Sequence, residues 1–188
     1  TAWNVSTASY VQVKSTTGEL YNPTGIFFKP DGLNMYITGA GEGAVFKYSL
    51  STAWDISTAT IPSYGKIPIL SLSALTGLFF KSDGTKMYVL GDTGNDVNEY
   101  TLSTAWNVST ASYVQRFVVS SQASYPVNLS FNSDGTKMYV IGHNGQSYTI
   151  HEYGLSTAWN VSTASYLGGF APKEHRYPKD LSFNSDGT

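Results

Sequence analysis

The sequence predicts an all-β protein built from four-stranded antiparallel blades of about 52 residues each. Two motifs recur at one period, and the residues between them follow the patterns of strands rather than helices. The first motif reads TAWNVSTASY, STAWDISTAT and, twice, STAWNVSTASY, around Trp3, Trp54, Trp106 and Trp159. The second reads FKPDGLNMYITG, FKSDGTKMYVLG, FNSDGTKMYVIG and FNSDGT, around Asp31, Asp83, Asp134 and Asp186. Both motifs step by 51 to 53 residues, which excludes chance similarity.

Each period contains the elements of an antiparallel meander. In the first copy, residues 24–29 form an apolar strand that ends at Pro30-Asp31-Gly32, where the glycine supplies the positive φ of a tight hairpin. Residues 34–38 follow as a second strand, and residues 44–50 alternate with the two-residue rhythm of a half-buried third strand. A fourth strand follows the tryptophan motif, with its best copies at residues 112–120 and 10–14.

A single four-stranded sheet has two faces to cover, so each copy must stack on its neighbours. Stacking around a common axis gives a β-propeller, the fold typical of four-stranded repeats of this length. We expect one propeller-type domain. Residues 1–23 supply the outer strand of a preceding blade, residues 24–75, 76–127 and 128–180 three complete blades, and residues 181–188 the first strand of a further blade. Closed rings contain about four to eight blades, so we expect a larger ring, with seven blades preferred.

The recurring residues are predicted to be structural. We call residues 51–58, 103–110 and 156–163 the Trp corners, because their Ser, Asn and Asp side chains suit capping of local backbone groups and their indoles suit packing between blades. Exposed indoles that stack on sugars are the alternative. The structural set comprises Trp3, Trp54, Trp106, Trp159, Asp31, Gly32, Asp83, Gly84, Asp134 and Gly135.

Composition excludes several classes of partner. Charged residues make up 13% of the chain, about half the usual share of roughly 25%, and the formal charge is −2. No Lys and Arg cluster suits nucleic acid or an anionic membrane, and no apolar run could span a bilayer, so we expect neither nucleic acid binding nor membrane insertion. The chain has no cysteine, which excludes disulfides and thiolate chemistry. No cofactor and no metal are predicted.

Loop sequences vary at one end of the predicted blades only. The near-identical Asp-Gly turns and Trp corners share one end, whereas the opposite end, which we call the variable rim, carries loops such as GAGEG, GDTGND and GHNGQSYT. Variable loops on a rigid scaffold are typical of binding surfaces, with neutral drift as the alternative. The candidate ligand-binding residues are Asp92, Asn95, Asp96, His143, Asn144, Lys173, Glu174, His175, Arg176 and Tyr177. The two carboxylates of GDTGND are too few to predict a bound cation.

The strings FKSDGTKMYVLG and FNSDGTKMYVIG, followed by a variable turn and by EYTLSTAW or EYGLSTAW, resemble the YVTN and lactonase-like group of β-propeller repeats. The resemblance covers nearly the whole chain. More narrowly, the Trp corners are similar to tandem repeats of uncharacterised phage and marine bacterial proteins, which implies an exported or virion-associated binding module. Lactonase-type enzymes of the group hold catalytic His, Glu and Arg around the central axis, and no motif here allows one of them to be carried over.

The preferred functional hypothesis is a non-catalytic, extracellular, cell-surface or virion-associated module that binds a carbohydrate or a protein through the variable rim. Linear catalytic motifs are absent, and the chain is rich in hydroxyl groups and Tyr. The first alternative is a lactonase-like hydrolase acting at the axial mouth of the ring, with His143 and His175 as participants. The second alternative is a passive spacer. Expected partners are the remainder of a longer propeller chain or a homo-oligomer, and a glycan or protein ligand.

Overall fold

The structure is a computed structural model that describes residues 5–16, 18–20, 22–63, 65–69, 74–145, 147–173 and 177–183. As predicted, the protein is all-β. The strands are β1 (Pro23–Phe28), β2 (Asn34–Gly39), β3 (Ala44–Leu50), β4 (Ala59–Thr60), β5 (Lys66–Pro68), β6 (Leu75–Phe80), β7 (Lys86–Gly91), β8 (Asp96–Leu102), β9 (Ala111–Val118), β10 (Tyr125–Phe131), β11 (Lys137–His143), β12 (Tyr148–Leu155) and β13 (Ala164–Phe170). Single turns of 3-10 helix cover Val5–Thr7, Ile56–Thr58, Val108–Thr110 and Val161–Thr163. Within these described ranges, no helix has the length and apolar character needed to cross a bilayer.

Three antiparallel sheets follow one another along the chain. Sheet 1 has the order β1-β2-β3-β4, with β5 also paired to β3. Sheet 2 has the order β6-β7-β8-β9, and sheet 3 the order β10-β11-β12-β13. Strands that are neighbours in sequence are paired, so each sheet is the predicted meander, which needs only short connections. The first strands of the sheets lie together, since β6 contacts both β1 and β10.

The outer strand of sheet 1 differs from the prediction. In sheets 2 and 3 the outer strand is continuous, whereas in sheet 1 it is divided into the two-residue β4 and the three-residue β5. Pro62 lies between the two pieces and has no backbone N–H to donate to a ladder. Beyond it, the carbonyl of Gly65 accepts the N–H of Lys47 at 2.7 Å, which restores pairing with β3.

Residues 10–14, predicted to form a strand, are not in one. The side chain of Gln12 nevertheless donates to Oδ1 of Asp55 at 2.7 Å, and Gln115 of β9 makes the equivalent contact with Asn160 at 2.6 Å. The segment therefore lies against the Trp corner of sheet 1 as β9 lies against that of sheet 3. No described strand lies beside it to pair with, and a lone segment has no ladder to join.

Apolar clusters fill the spaces between the sheets. Tyr36 of sheet 1 packs in one cluster with Leu78 and Phe80 of sheet 2. Tyr88 of sheet 2 packs in another with Phe131 of sheet 3. Sheet 2 is therefore buried on both faces, which is the physical reason why a repeat of this kind needs neighbours.

The indoles of Trp106 and Trp159 lie between neighbouring sheets. Trp106 is stacked 5.5 Å from Phe80 of its own sheet and 6.2 Å from Phe27 of the preceding sheet. Trp159 makes the same pair of contacts one sheet later. Trp54, on the outer face of sheet 1, is 58% exposed. An indole is thus covered where a preceding sheet packs against it, and Trp54, which has none in the described structure, is exposed.

Each Trp corner is bonded to the Asp-Gly turn of its own sheet. The N–H of Trp159 donates to the carbonyl of Gly135 at 2.9 Å. Asp134 accepts the N–H of Thr136 at 2.9 Å, and the hydrogen bonds from Thr136 lower the pKa of the Asp134 carboxyl. The same backbone bond joins Trp54 to Gly32 and Trp106 to Gly84.

Candidate functional site

The first strand of each sheet begins with one extra residue. The pairing register slips by one at Thr24 in β1, at Thr76 in β6 and at Val127 in β10, so each of these residues forms a β-bulge. A bulge interrupts the ladder and redirects its side chain. Because β6 contacts both β1 and β10, the three bulges lie close together.

A cavity of about 530 Å³ lies at these bulges. Its volume is in the range that small-molecule sites occupy. The lining residues are Pro23, Thr24, Thr76, Asp92, Tyr125, Pro126, Val127, His143, Tyr148 and Lys179. Asp92 lies in one variable loop and His143, the last residue of β11, directly precedes another, so the cavity lies at the variable rim. It is formed by residues from all three sheets.

Asp92 and His143 occupy the same position in two repeats. Each directly follows a glycine in or at the end of a second strand, Gly91 in β7 and Gly142 in β11, and Ala40 holds this position in the first repeat. The repeats therefore place an apolar, an acidic and an imidazole side chain at equivalent points of the rim.

Three rings form a row across sheet 3 beside the cavity. His143 is paired with Tyr125 of β10 on one side and with Tyr148 of β12 on the other, and side chains of paired residues project from the same face. The ring of His143 lies 4.7 Å from each tyrosine ring and within 16° of the plane of Tyr125. Tyr177 adds a fourth ring, 5.6 Å from Tyr148. The row fixes the imidazole plane and gives the cavity an aromatic wall.

One hydrogen bond sets the tautomer of His143. The N–H of Gly145 donates to Nδ1 of His143 at 3.1 Å. Because Nδ1 accepts, the neutral ring carries its proton on Nε2. The cavity thus holds the Nε2–H donor of His143 together with the side chains of Asp92 and Lys179. This set suits a small polar ligand with a carbonyl group.

Asp96 and Asn95 shape the loop that carries Asp92. Asp96 is 1% exposed, its Oδ2 lies 3.1 Å from Nη1 of Arg116, and its Oδ1 accepts a 2.7 Å hydrogen bond from Asn98. Asn95 has a φ of 47°, and its carbonyl accepts the backbone N–H of Val119, the residue after β9, at 2.8 Å. Neither residue lines the cavity. In the part of the chain that the structure describes, no three His, Asp or Glu side chains are grouped to hold a metal ion.

The remaining candidates lie around His143 or after β13. Asn144 is exposed in the turn after β11. Lys173 is exposed and does not line the cavity, whereas Tyr177 is 71% exposed and joins the aromatic row. The predictions on Glu174, His175, Arg176 and Trp3 fall outside the described residues.

Sequence reasoning missed Tyr125, Tyr148 and Lys179. A signal for the first was present in Tyr125-Pro126. Proline has no backbone N–H, so at the start of an inner strand it is tolerated only where the ladder needs no donor, as at a bulge. Pro23 marks the same place in the first repeat. The same pair recurs at Tyr177-Pro178, so Lys179 holds the position that Val127 has one repeat earlier.

No family model and no curated protein matches the sequence. The fold matches solved structures of lactonase-type β-propeller proteins. One from Bacteroides uniformis, provisionally assigned as a 6-phosphogluconolactonase, has a TM-score of 0.63 at 16% identity, over 88% of this chain and 45% of that one. A periplasmic gluconolactonase of Pseudomonas aeruginosa has a TM-score of 0.61 at 15% identity, with the same two coverages. A hydrazine synthase of Kuenenia stuttgartiensis has a TM-score of 0.60 at 16% identity, over 95% of this chain and 44% of that one.

At this level of identity the likeness shows the fold, a propeller-like array of repeats. The chain spans less than half the length of each of these structures. The resemblance to lactonase-like repeats is confirmed at the level of structure. The narrower similarity of the Trp corners to phage and marine bacterial repeats stays a prediction.

The preferred functional hypothesis is wrong. Two of these neighbours carry the names of lactonases, which are hydrolases, and this contradicts a non-catalytic binding module and favours the lactonase-like alternative. The physical reason for the error lies in how the cavity is built. It takes its polar residues from different repeats, with Asp92 and His143 in different sheets. No short motif records such a site, so the absence of linear motifs does not exclude catalysis.

Proposed function

We propose that the chain forms part of a β-propeller hydrolase that opens the ring of a sugar lactone at the axial mouth. The observation that carries the proposal is the cavity of about 530 Å³ at the bulged starts of β1, β6 and β10, lined by Asp92, His143 and Lys179. A second support is the naming of two structural neighbours as gluconolactonases. A sugar lactone combines a carbonyl group with a small hydroxylated ring, which matches the donors, the carboxylate and the aromatic wall of the cavity.

The aromatic row and the Nε2–H group of His143 would bind the lactone. The apolar face of the sugar ring stacks on Tyr125, which is 53% exposed. The Nε2–H of His143 donates to the lactone carbonyl, which polarises it. Lys179 adds a positive charge near the carbonyl oxygen or a substituent anion.

Hydrolysis needs one water molecule and no further reagent. The carboxylate of Asp92 takes a proton from the water as its oxygen bonds to the carbonyl carbon. Negative charge develops on the carbonyl oxygen, where His143 and Lys179 stabilise it. The carbon–oxygen bond of the ring then breaks and the ring oxygen takes the proton that Asp92 holds, so the carboxylate is restored and the product is an open-chain hydroxy acid.

We further propose a complete ring of seven blades. Residues 24–75, 76–127 and 128–180 are three of them, and we assign residues 1–23 and 181–188 to the blades on either side. Three blades that match 45% of a neighbour's length correspond to about seven in all. An exported location is part of the proposal, and its support is the periplasmic neighbour from Pseudomonas aeruginosa.

The test is hydrolysis of glucono-1,5-lactone and of its 6-phosphate, followed by acid release at constant pH. The chain should hydrolyse at least one of them faster than buffer does, and His143→Ala and Asp92→Asn should each lower kcat/KM by about 100-fold or more. His151→Phe is the matched control, because His151 lies in the same sheet and does not line the cavity. No rate above buffer, or a rate unchanged by His143→Ala, would overturn the proposal.

A further inference from the structure

One face of sheet 3 carries polar groups whose counterparts on the preceding sheets are bound to the next Trp corner. The hydroxyl of Tyr36 in β2 donates to the backbone carbonyl of Trp106 at 2.7 Å. The hydroxyl of Tyr88 in β7 donates to the carbonyl of Trp159 at 2.7 Å. Tyr139 holds the same position in β11, and among the described residues its hydroxyl has no hydrogen-bond partner.

A charged pair on sheet 2 reinforces this junction. Glu99 is 1% exposed, binds Lys86, and accepts the N–H of Val161 at 3.1 Å. Lys86 also donates to the carbonyl of Trp159 at 2.9 Å. Sheet 2 thus holds the Trp corner of sheet 3 at two points, the carbonyl of Trp159 and the N–H of Val161.

The same pair on sheet 3 is half-exposed. Nζ of Lys137 lies 2.6 Å from Oε1 of Glu152, and the two side chains are 47% and 33% exposed. The matching figures for Lys86 and Glu99 are 25% and 1%. The difference follows from the Trp corner that covers one pair and not the other.

Residues 180–183 already cover part of the face of sheet 3 that carries Tyr139. The ring of Phe183 lies 4.7 Å from Tyr139, as Phe131 lies 4.5 Å from Tyr88. The side chain of Asn128 donates to Asp180 at 2.6 Å. Residues 180–183 therefore lie where the first strand of a following sheet lies, without forming a strand. Beside them is a cavity of about 330 Å³, lined by Tyr139, Glu152, Phe170 and Phe183 among others.

We propose that this docking face, formed by Lys137, Tyr139 and Glu152, binds a further copy of the repeat. The occupant supplies strands two to four and a Trp corner, whose Trp carbonyl accepts from Tyr139 and whose N–H two residues later donates to Glu152. A second chain docked through its Trp54 corner is the competing occupant. It fits less well, because residues 180–183 fill the place that its own β1 needs. This inference rests on the proposed ring of blades and not on the proposed lactone hydrolysis, so failure of either one leaves the other standing.

The test lengthens the chain by one repeat. The string LSFNSDGT occurs at residues 129–136 and again at 181–188, so residues 137–188 can be appended after Thr188 in register. Urea unfolding of both lengths is then measured with Tyr88→Phe and Tyr139→Phe. In the 188-residue chain, Tyr88→Phe should lower the folding equilibrium constant by about 2- to 12-fold, and Tyr139→Phe should leave it unchanged. In the lengthened chain both variants should show the loss.

Glu152→Gln provides a second, independent variant. It should lower the folding equilibrium constant by less than about 5-fold in the 188-residue chain, where the pair is half-exposed, and by at least about 10-fold in the lengthened chain. Equal effects of both variants at the two lengths would overturn the proposal. So would sedimentation that shows a dimer of the 188-residue chain dissociated by Tyr139→Phe, since the occupant would then be a second chain.

Discussion

Gly135 lies directly beneath the indole of Trp159, and a methyl group at Gly135 would be 2.2 Å from the ring. Gly84 with Trp106 and Gly32 with Trp54 repeat the contact at 2.3 and 2.4 Å. The three tryptophans have φ of 64° to 66°, a conformation that a bulky residue rarely adopts. Such strain persists only where the surroundings fix it, and here the glycine carbonyl and the turn beneath the ring do so. Each Trp corner is therefore locked to its own Asp-Gly turn.

Gly135→Ala should be much more destabilising than Gly145→Ala. Both glycines have positive φ, of 72° and 94°, but a methyl group at Gly145 would meet no atom within 4 Å. Gly145→Ala should cost about 1–2 kcal/mol of backbone strain. Gly135→Ala adds overpacking against Trp159 and should cost about 2–5 kcal/mol. Urea unfolding measures both, and equal losses would show that the indole can move aside freely.

Glu99→Gln should destabilise the chain more than Glu152→Gln does. The two glutamates hold the same position in sheets 2 and 3, but Glu99 is buried and also accepts the N–H of Val161. Loss of its charge leaves Lys86 without its ionic partner and should cost about 3 kcal/mol. Glu152 is half-exposed, so its substitution should cost no more than about 1 kcal/mol. Equal costs in denaturant unfolding would contradict the burial of the first pair.

Acid should destabilise the protein partly through His151. The residue is 6% exposed, and among the described residues neither ring nitrogen has a hydrogen-bond partner. Burial lowers its pKa below the ordinary value of 6.5. The unfolded chain takes up a proton near pH 6.5 and the folded chain does not, so stability is full above pH 6.5 and is lost as pH falls towards the folded pKa.

His151→Phe is the variant that tests this pH dependence, because Phe46 holds the same position in sheet 1. The free energy of unfolding should fall less steeply between pH 7.5 and pH 5 in the variant than in the original chain. Since all carboxylates are shared by the two proteins, the difference isolates the histidine. Parallel curves would assign the acid sensitivity to other groups.

The capping residue of the Trp corner should tolerate Asp but not Ala. Oδ1 of Asn107 accepts from the N–H and the hydroxyl of Ser109 at 3.2 and 2.7 Å, and Asp55 makes the same bonds with Ser57. Asn107→Ala removes the acceptor and should cost about 1 kcal/mol. Asn107→Asp keeps it and should stay within about 0.5 kcal/mol of the original chain. An equal thermal shift in both variants would contradict this capping role.

The sheets could be predicted because each repeat records its own turns and strands. Asp83-Gly84 marks the hairpin between β6 and β7, and the pattern is copied in the neighbouring repeats. The divided outer strand of sheet 1 could not be predicted with the same ease. Pro62 weakens pairing in that segment, but the recovery of the ladder at Gly65 depends on the position of Lys47 across the sheet. A hydrogen bond between residues that far apart in the chain cannot be predicted from the sequence around Gly65 alone.

The cavity could be predicted only in part. Asp92 and His143 were recognisable as variable-rim residues, and both line it. Asp96 looked equivalent, but its carboxylate is taken by Arg116, which lies 20 residues later. The bulges at Thr24 and elsewhere exist only relative to the partner strand, so a strand read by itself cannot reveal them.

The most direct test of the proposed site is to map where the reaction product binds on the chain. Gluconate should be titrated into the ¹⁵N-labelled chain while its backbone amide resonances are recorded. Saturable shifts concentrated at Thr24, Thr76, Asp92 and His143, and abolished in His143→Ala, are the predicted result. Saturable shifts confined to the Asp-Gly turns at the opposite end, or no saturable shift with gluconate or its 6-phosphate, would contradict a lactone hydrolase at this cavity.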